Sequence, residues 1–472
     1  MVINHLEKLF VTADAHTIIN ESDVHHPAAK MVAQAVKMQS NECGDNTNLI
    51  LTMAGELMTQ AAGLIQMGLH PSEILIGYDK ASKKALELLE TLDRKKLTFA
   101  HEDGTVNIAE LESAIKPVIA SKQYGNHDWL SAKIAEACVY TMPKNKIKFN
   151  VDNVRIQKIL GGGINDSQVI HGVVVTKASE TSVKRVTNAK VAVFNTNIEM
   201  QQGETKGTVL LKNADDLLNY TTGEEEKFEG FIKKLAEAGV NCVVCQGSMS
   251  ELAIHYFEKY GMMAVKIMSK WELKRVGRAC GATPIVKLEC PTPEEMGYAD
   301  EVHFQEISST WCTVFRRDRE ENKMATIVLR GATNAQLDDI ERAIDNGVNA
   351  VKSLIRDPRM VPGAGATELY LGHHIQLFAK EQPGLDQYAV EKFGAAFEVI
   401  PRILSENAGH KAETVIANMY AKIHEGSCEH GIDVVDGNIK NMTEAFIMDS
   451  LESKSWALKL AFDVCLTILK VD

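Results

Sequence analysis

The sequence contains no apolar run near the roughly 18 residues a helix needs to cross a bilayer, and its start, Met1-Val2-Ile3-Asn4, lacks a signal-peptide pattern. Basic charge is also in deficit. With 51 Lys and Arg against 63 Asp and Glu the formal net charge is -12, so the chain repels phosphate backbones and anionic lipid. Neither nucleic acid nor a membrane is an expected partner. The nine cysteines are odd in number and scattered, and most, such as Cys138, Cys312 and Cys465, lie inside apolar runs. That pattern excludes a disulfide framework and points to reduced core thiols in the cytoplasm. Cys242 and Cys245 form a Cys-x-x-Cys pair, but the surrounding residues read as a buried strand that points the two thiols to opposite faces, against a metal or redox role. Apolar residues at 45% and charged residues at 24% leave no room for wholesale disorder.

What is present is 472 residues, enough for about three domains at roughly 100 to 200 residues each. From about 27 to 121 the pattern is helical. Pro27 opens the first helix, a second follows Thr47 and is apolar almost all round, and a third starts near Pro71 and runs to Leu92. After about 146, short β-rich pieces surround Gly161-Gly162-Gly163. From Lys190 onward strands such as 242–245 and 263–267 alternate with helices such as 250–260 and 271–276, the pattern of an α/β domain. Between its early strands, the charged segment from Lys212 to Phe228 reads as a helix, either an ordinary surface helix or a projecting element. Helical character returns over 336–355, 366–379, 388–406 and 451–469. The C-terminal part is therefore expected to pack back on the N-terminal helices, with the α/β domain as an insertion.

Three segments carry possible chemistry. Gly44-Asp45-Asn46-Thr47-Asn48 opens a long buried helix, where amides and helix dipole favour an anion, Asp45 can hold a divalent cation and Thr47 can meet a phosphate oxygen. The plainer alternative is that Asp45 or Thr47 only caps the helix. Pro362-Gly363-Ala364-Gly365-Ala366-Thr367-Glu368 also precedes a helix and lets a ligand approach the backbone closely. Gly431-Ile432-Asp433-Val434-Val435-Asp436-Gly437-Asn438 carries two carboxylates, with a simple hairpin as the plainer reading.

In this order, and together with Met1 to Asp14, Glu204 to Leu210, Gly281 to Pro284, Val328 to Thr333 and Asp338 to Asp345, these segments resemble the group II chaperonins over the whole length. The resemblance implies a multidomain α and α/β chaperonin fold. Its parts would be a helical equatorial ATPase domain (1–121 and 357–472), a small α/β intermediate domain (122–171 and 325–356) and an α/β apical domain (172–324). A helical protrusion at about 204–232 would form part of a built-in lid. The implied activity is ATP-driven enclosure of non-native proteins, with ATP and Mg2+ as cofactors. The implied partners are seven paralogous subunits in an eight-membered ring, two rings stacked, with actin and tubulin among the clients; prefoldin is a further partner the resemblance admits. Such subunits carry a glycine-containing phosphate loop ahead of the segment that matches Met1 and a further strand after the one that matches Asp472. The expectation is that the sequence is a piece of a longer chain.

Position by position, the resemblance makes Asp45 the magnesium ligand, sets Gly44, Asn46, Thr47 and Asn48 against the phosphates, and gives Asp14 the role of orienting the attacking water. Gly363, Ala364 and Gly365 would border the nucleotide, and Gly431, Asp433 and Asp449 would lie near base and ribose. Lys158 is a candidate γ-phosphate sensor or a solvated surface lysine.

Three departures from the family pattern stand out. Asn46 replaces a glycine, and Asn is the residue that next best tolerates positive φ. Asn346 stands where the family has the aspartate that activates water. An amide can hydrogen-bond water but cannot serve as a general base at neutral pH, and a positioned base typically contributes about 100- to 10,000-fold. The neighbouring Asp345 points about 100° away on a helix. The expectation is a subunit that binds ATP and turns it over slowly, or alternatively an architectural subunit with little nucleotide binding. Phe446 replaces a small glycine ahead of Asp449.

Overall fold

The computed structural model describes residues 1–4, 6–92, 95–97, 106–143, 148–199, 214–318 and 323–471, without the side chains of 214–224. The chain gathers into two compact units, one from its two ends, up to Val139 and from Ala335 onward, and one from Asp152–Asn334 together with Tyr140–Pro143.

The first unit opens with an antiparallel pair, β1 (Val2–Ile3) and β2 (Leu9–Phe10), followed by α1 (Ala15–Glu21). Then come α2 (Pro27–Glu42), α3 (Thr47–Gln66), α4 (Pro71–Glu90), β3 (Lys95–Lys96), α5 (Ile108–Ala120) and α6 (His127–Thr141). Proline at the first position starts both α2 and α4, since that residue's N–H has no helical partner anyway. At α4 the His70 side chain and Glu73 also complete a capping box.

The second unit holds two sheets. Strand β4 (Val154–Leu160) and the later β5 (Gln168–His171) flank β12 (Ala325–Gly331), parallel and antiparallel to it respectively. The larger sheet has the order β6-β11-β10-β7-β8-β9, built from β6 (Val173–Val175), β7 (Arg185–Phe194), β8 (Cys242–Gln246), β9 (Met263–Ile267), β10 (Gly297–Ile307) and β11 (Thr310–Arg316). β7, β8 and β9 run parallel, connected through α7 (Ala214–Glu237) and α8 (Glu251–Lys259), with α9 (Lys270–Cys280) following β9. Cys242 packs with Val244 and Met263 on one face, and Cys245 with Val243 and Phe257 on the other, as a spacing of three along a strand requires. The charged segment after Lys212 is helical within α7, whose later residues Phe228, Ile232 and Leu235 are buried against that second face. The part of the expected protrusion at 204–213 lies outside the described residues.

The chain returns to the first unit through α10 (Asn334–Arg356), β13 (Arg359–Pro362) and α11 (Ala366–Ala379). It continues through α12 (Asp386–Ala396), α13 (Val399–Asn407) and α14 (Ala412–His424), and then the hairpin β14 (His430–Ile432) and β15 (Ile439–Asn441). It ends with β16 (Met448–Ser450) and α15 (Leu451–Leu469). The helical stretch expected over 388–406 is divided between two helices. Pro401 offers no N–H to the Phe397 carbonyl four residues back and its ring crowds that carbonyl, so the helix breaks at Phe397-Glu398. Both chain ends share one core, in which Ile50, Met53 and Leu57 of α3 and Tyr78 of α4 cluster with Phe393 of α12 and Leu458 of α15. Residues 122–139 and 335–356, which the resemblance assigns to an intermediate domain, cluster with this unit.

Candidate functional site

Within the first unit a cleft of about 430 Å3 opens at the N-termini of α3 and α11. The turn into α3 depends on two left-handed residues, Gly44 at φ +72° and Asn46 at φ +61°. A Cβ on Gly44 would stand 2.3 Å from the Asn346 carbonyl oxygen, so only glycine fits between α2 and α10. Asn46 is the N-cap, and its side chain makes no capping hydrogen bond. The plain capping role weighed for Asp45 or Thr47 is therefore not what is built, and among the described residues no N-cap side chain bonds the first amides of α3. Asp45, Asn46, Thr47 and Asn48 all line the cleft.

Opposite them, the turn after β13 leads into α11 through Ala364 at φ +53° and Gly365 at φ +81°, again with no side-chain cap. Ala364, Gly365 and, on β16, Asp449 line this wall, while Leu49, Ile400, Ile403 and Leu404 supply an apolar one. Gly363 donates its N–H to the Ile447 carbonyl at 3.0 Å, behind the lining. Gly431 backs the same turn: a Cβ there would lie 3.0 Å from the carbonyl oxygens of Gly363 and Ala364. Asp433 belongs to the β14–β15 turn, donating its N–H to the Asn438 carbonyl and accepting from the Val435 N–H at 3.0 Å. Asn346 is buried on α10 behind Gly44, its Oδ1 3.4 Å from the donating Ser40 hydroxyl, while Asp345 is exposed. Lys158 is exposed on β4 of the second unit.

The electrostatics call for a cation and an anion together. Burial pushes the Asp45 carboxyl up from its ordinary range, opposed by Lys122. Burial likewise lowers Lys122, against the pull of Asp45 and Asp14, and its ammonium donates to the Gly44 carbonyl at 2.6 Å. Asp14 is 5% exposed and caps α1, its Oδ2 accepting from the Thr17 N–H and hydroxyl, while its buried Oδ1 has no partner among the described residues. Glu368 is bonded through Oε1 to Lys454 at 2.8 Å, and its buried Oε2 is also unpartnered among the described residues. Unsatisfied carboxylate oxygens beside uncapped helix N-termini and a lysine fit a divalent cation bound with a polyphosphate, and the apolar wall fits a flat ring.

The model of the TCP-1/cpn60 chaperonin family matches residues 1–472. The theta subunit of T-complex protein 1 from Dictyostelium discoideum is 46% identical over 472 residues, spanning all of this chain and 87% of that protein. The human theta subunit is 46% identical over 474 residues and that of Arabidopsis thaliana 44% over 472, each with 85% of its length covered. The chain belongs to the TCP-1/cpn60 chaperonin family.

In this chaperonin chain, Phe446 adopts φ +56°, a backbone conformation suited to glycine, and Lys95 holds its ring with Nζ 3.8 Å from the centroid. Sequence reasoning missed Lys122 and Lys454, and it quoted Glu368 within the turn motif without giving its side chain a role. Lys454 did carry a signal: on α15 it shares the buried stripe of Leu451, Ala457, Leu458 and Ala461, where a lysine without a carboxylate partner would be untenable. Lys122 carried none, being 78 residues from the carbonyl it binds.

Proposed function

We propose that the chain is one subunit of an ATP-dependent, hetero-oligomeric double-ring chaperonin that encloses non-native proteins, and that it holds Mg-ATP in the α3–α11 cleft while hydrolysing it slowly. The observation that carries the reading is the meeting of two uncapped helix N-termini with Asp45, Asp14 and Lys122 in one cleft. When bound, Mg2+ would offset phosphate charge. Asp45 supplies its ligand, the α3 amides with Thr47 and Asn48 receive phosphate oxygens, and Asp14 Oδ1 is free to orient a water. Asp449 and the Gly363–Gly365 turn border the sugar, with Gly431 and Asp433 behind them.

The same reading carries the equatorial, intermediate and apical boundaries given above, a cytoplasmic location, seven paralogous ring partners in each of two stacked rings, actin and tubulin as clients, and prefoldin as a helper. The slow-turnover element rests on Asn346, whose amide engages Ser40 and lacks the basicity to take a proton from water. Single-turnover hydrolysis by assembled rings tests it. Asn346→Asp should raise the number of ATP molecules hydrolysed per ring, and an unchanged number would refute the idea that this amide limits turnover. The alternative, an architectural subunit that scarcely binds nucleotide, draws on Asn46, Asn346 and Phe446; an empty cleft in saturating ATP would establish it.

A further inference from the structure

Two adjacent polar residues in the first turn of α15 are almost completely buried, Ser453 at 2% and Lys454 at 1% exposed, and each reaches a different wall of the cleft. On one side, the Asn46 side-chain amide donates to the Ser453 hydroxyl at 3.1 Å. Gln39, itself 1% exposed, donates through Nε2 to the Asp45 carbonyl and the Ser453 carbonyl, both at 2.9 Å. The left-handed turn that carries Asp45 is thus tied to α15 by three polar groups rather than by packing alone. On the other side, Lys454 bonds Asp449 at 2.6 Å and Glu368 at 2.8 Å. Burial works to lower its pKa, and Asp449 and Glu368 outweigh that, holding the ammonium above its ordinary range.

An apolar side chain of similar length would fill this site without the desolvation penalty of a buried charge. What it would not do is hold two carboxylates of like charge side by side on one cleft wall, with one oxygen of Glu368 tied down and the other left unpartnered.

We infer that Ser453 and Lys454 are positioning residues for different walls of the cleft: Ser453 fixes the cation-holding turn at Asp45-Asn46, and Lys454 fixes Asp449 and Glu368. The inference rests on the nucleotide reading above. It predicts a division of labour that a general loss of stability cannot mimic, because the two neighbours act on different parts of one ligand.

The test is photolabelling of this chain by 8-azido-ATP in assembled particles, with Mg2+ and nucleotide titrated separately. Ser453→Ala should raise the Mg2+ concentration for half-maximal labelling by about 10- to 100-fold, the usual effect of removing a residue that orients a metal ligand, with nucleotide affinity at saturating Mg2+ unchanged. Lys454→Met should weaken nucleotide affinity about tenfold and move the Mg2+ midpoint by much less than that. If both variants move both quantities together, or neither moves either, the inference is overturned. Should Lys454→Met fail to assemble, Ser453→Ala decides, since a shift in nucleotide affinity equal to its Mg2+ shift refutes separate control. Parental particles that take no label competable by ATP would sink the nucleotide reading itself, and the inference with it.

Discussion

Lys122 is held by the Gly44 carbonyl and by the charges of Asp45 and Asp14, which oppose the lowering that burial imposes on it. A cation so placed at the cleft lining favours the nucleotide with the larger negative charge. Lys122→Ala should therefore reduce the preference for ATP over ADP about tenfold, the value of one charge-assisted hydrogen bond. Lys158→Ala, measured in the same competition assay, should leave the ratio near parental. The reverse result would assign γ-phosphate sensing to Lys158 and remove Lys122 from the proposal. At this scale the legible residues were those in short contiguous motifs, Gly44 to Asn48 and Gly363 to Gly365, because a turn into a helix is written in neighbouring residues. A group that reaches the cleft from a distant segment, as Lys122 does, leaves no local pattern, and Lys454 shows only as a lysine set on the apolar stripe of α15. Their chemistry depends on partners supplied only by folding.

Among the elements, helices with strong start signals and apolar stripes were legible, and Pro401 shows what was not: one residue split a pattern that looked continuous over 388–406. The pairing of α11 with α14 carries a consequence for pH. His373 of α11 packs edge-on against His424 of α14, ring centroids 4.8 Å apart, and contacts His374 and Tyr420. Its pKa is lowered by burial first, then by His424, His374 and Lys380, and burial lowers His374 as well. Folded-state values below the ordinary 6.5 mean that the unfolded chain binds these protons more readily. The stability these neutral rings contribute is present above pH 6.5 and is lost as pH falls through their folded values. His373→Gln should flatten the loss of urea resistance between about pH 7 and pH 5 relative to the parent. An unchanged pH slope would show that other groups govern that range.

On the scale of the whole molecule, the first unit is sewn together from residues far apart in sequence, as when Gln39 bonds Ser453 across 414 positions. The second unit follows the opposite logic. Its large sheet begins at β6 and ends at β11, and these strands are neighbours with Val173 opposite Phe315, so the segment Val173–Arg316 enters and leaves at one place. That segment also has apolar clusters on both faces of its sheet, around Val191, Val244 and Val265 on one and Phe194, Val243 and Phe257 on the other. The alternation of strands and helices made this insertion legible, because parallel strands require crossover helices between them. Excised as Val173–Arg316, the segment should fold alone with a cooperative thermal transition, since it is of ordinary domain size and keeps both clusters. It should melt below the intact chain, because Val174 and Val314 lose the cover of Ile159 and Val328. It should take no 8-azido-ATP label, because every residue lining the α3–α11 cleft lies outside it. A fragment with secondary structure but no near-ultraviolet dichroism and no cooperative melt would mean that the small β4-β12-β5 sheet is part of the folding unit.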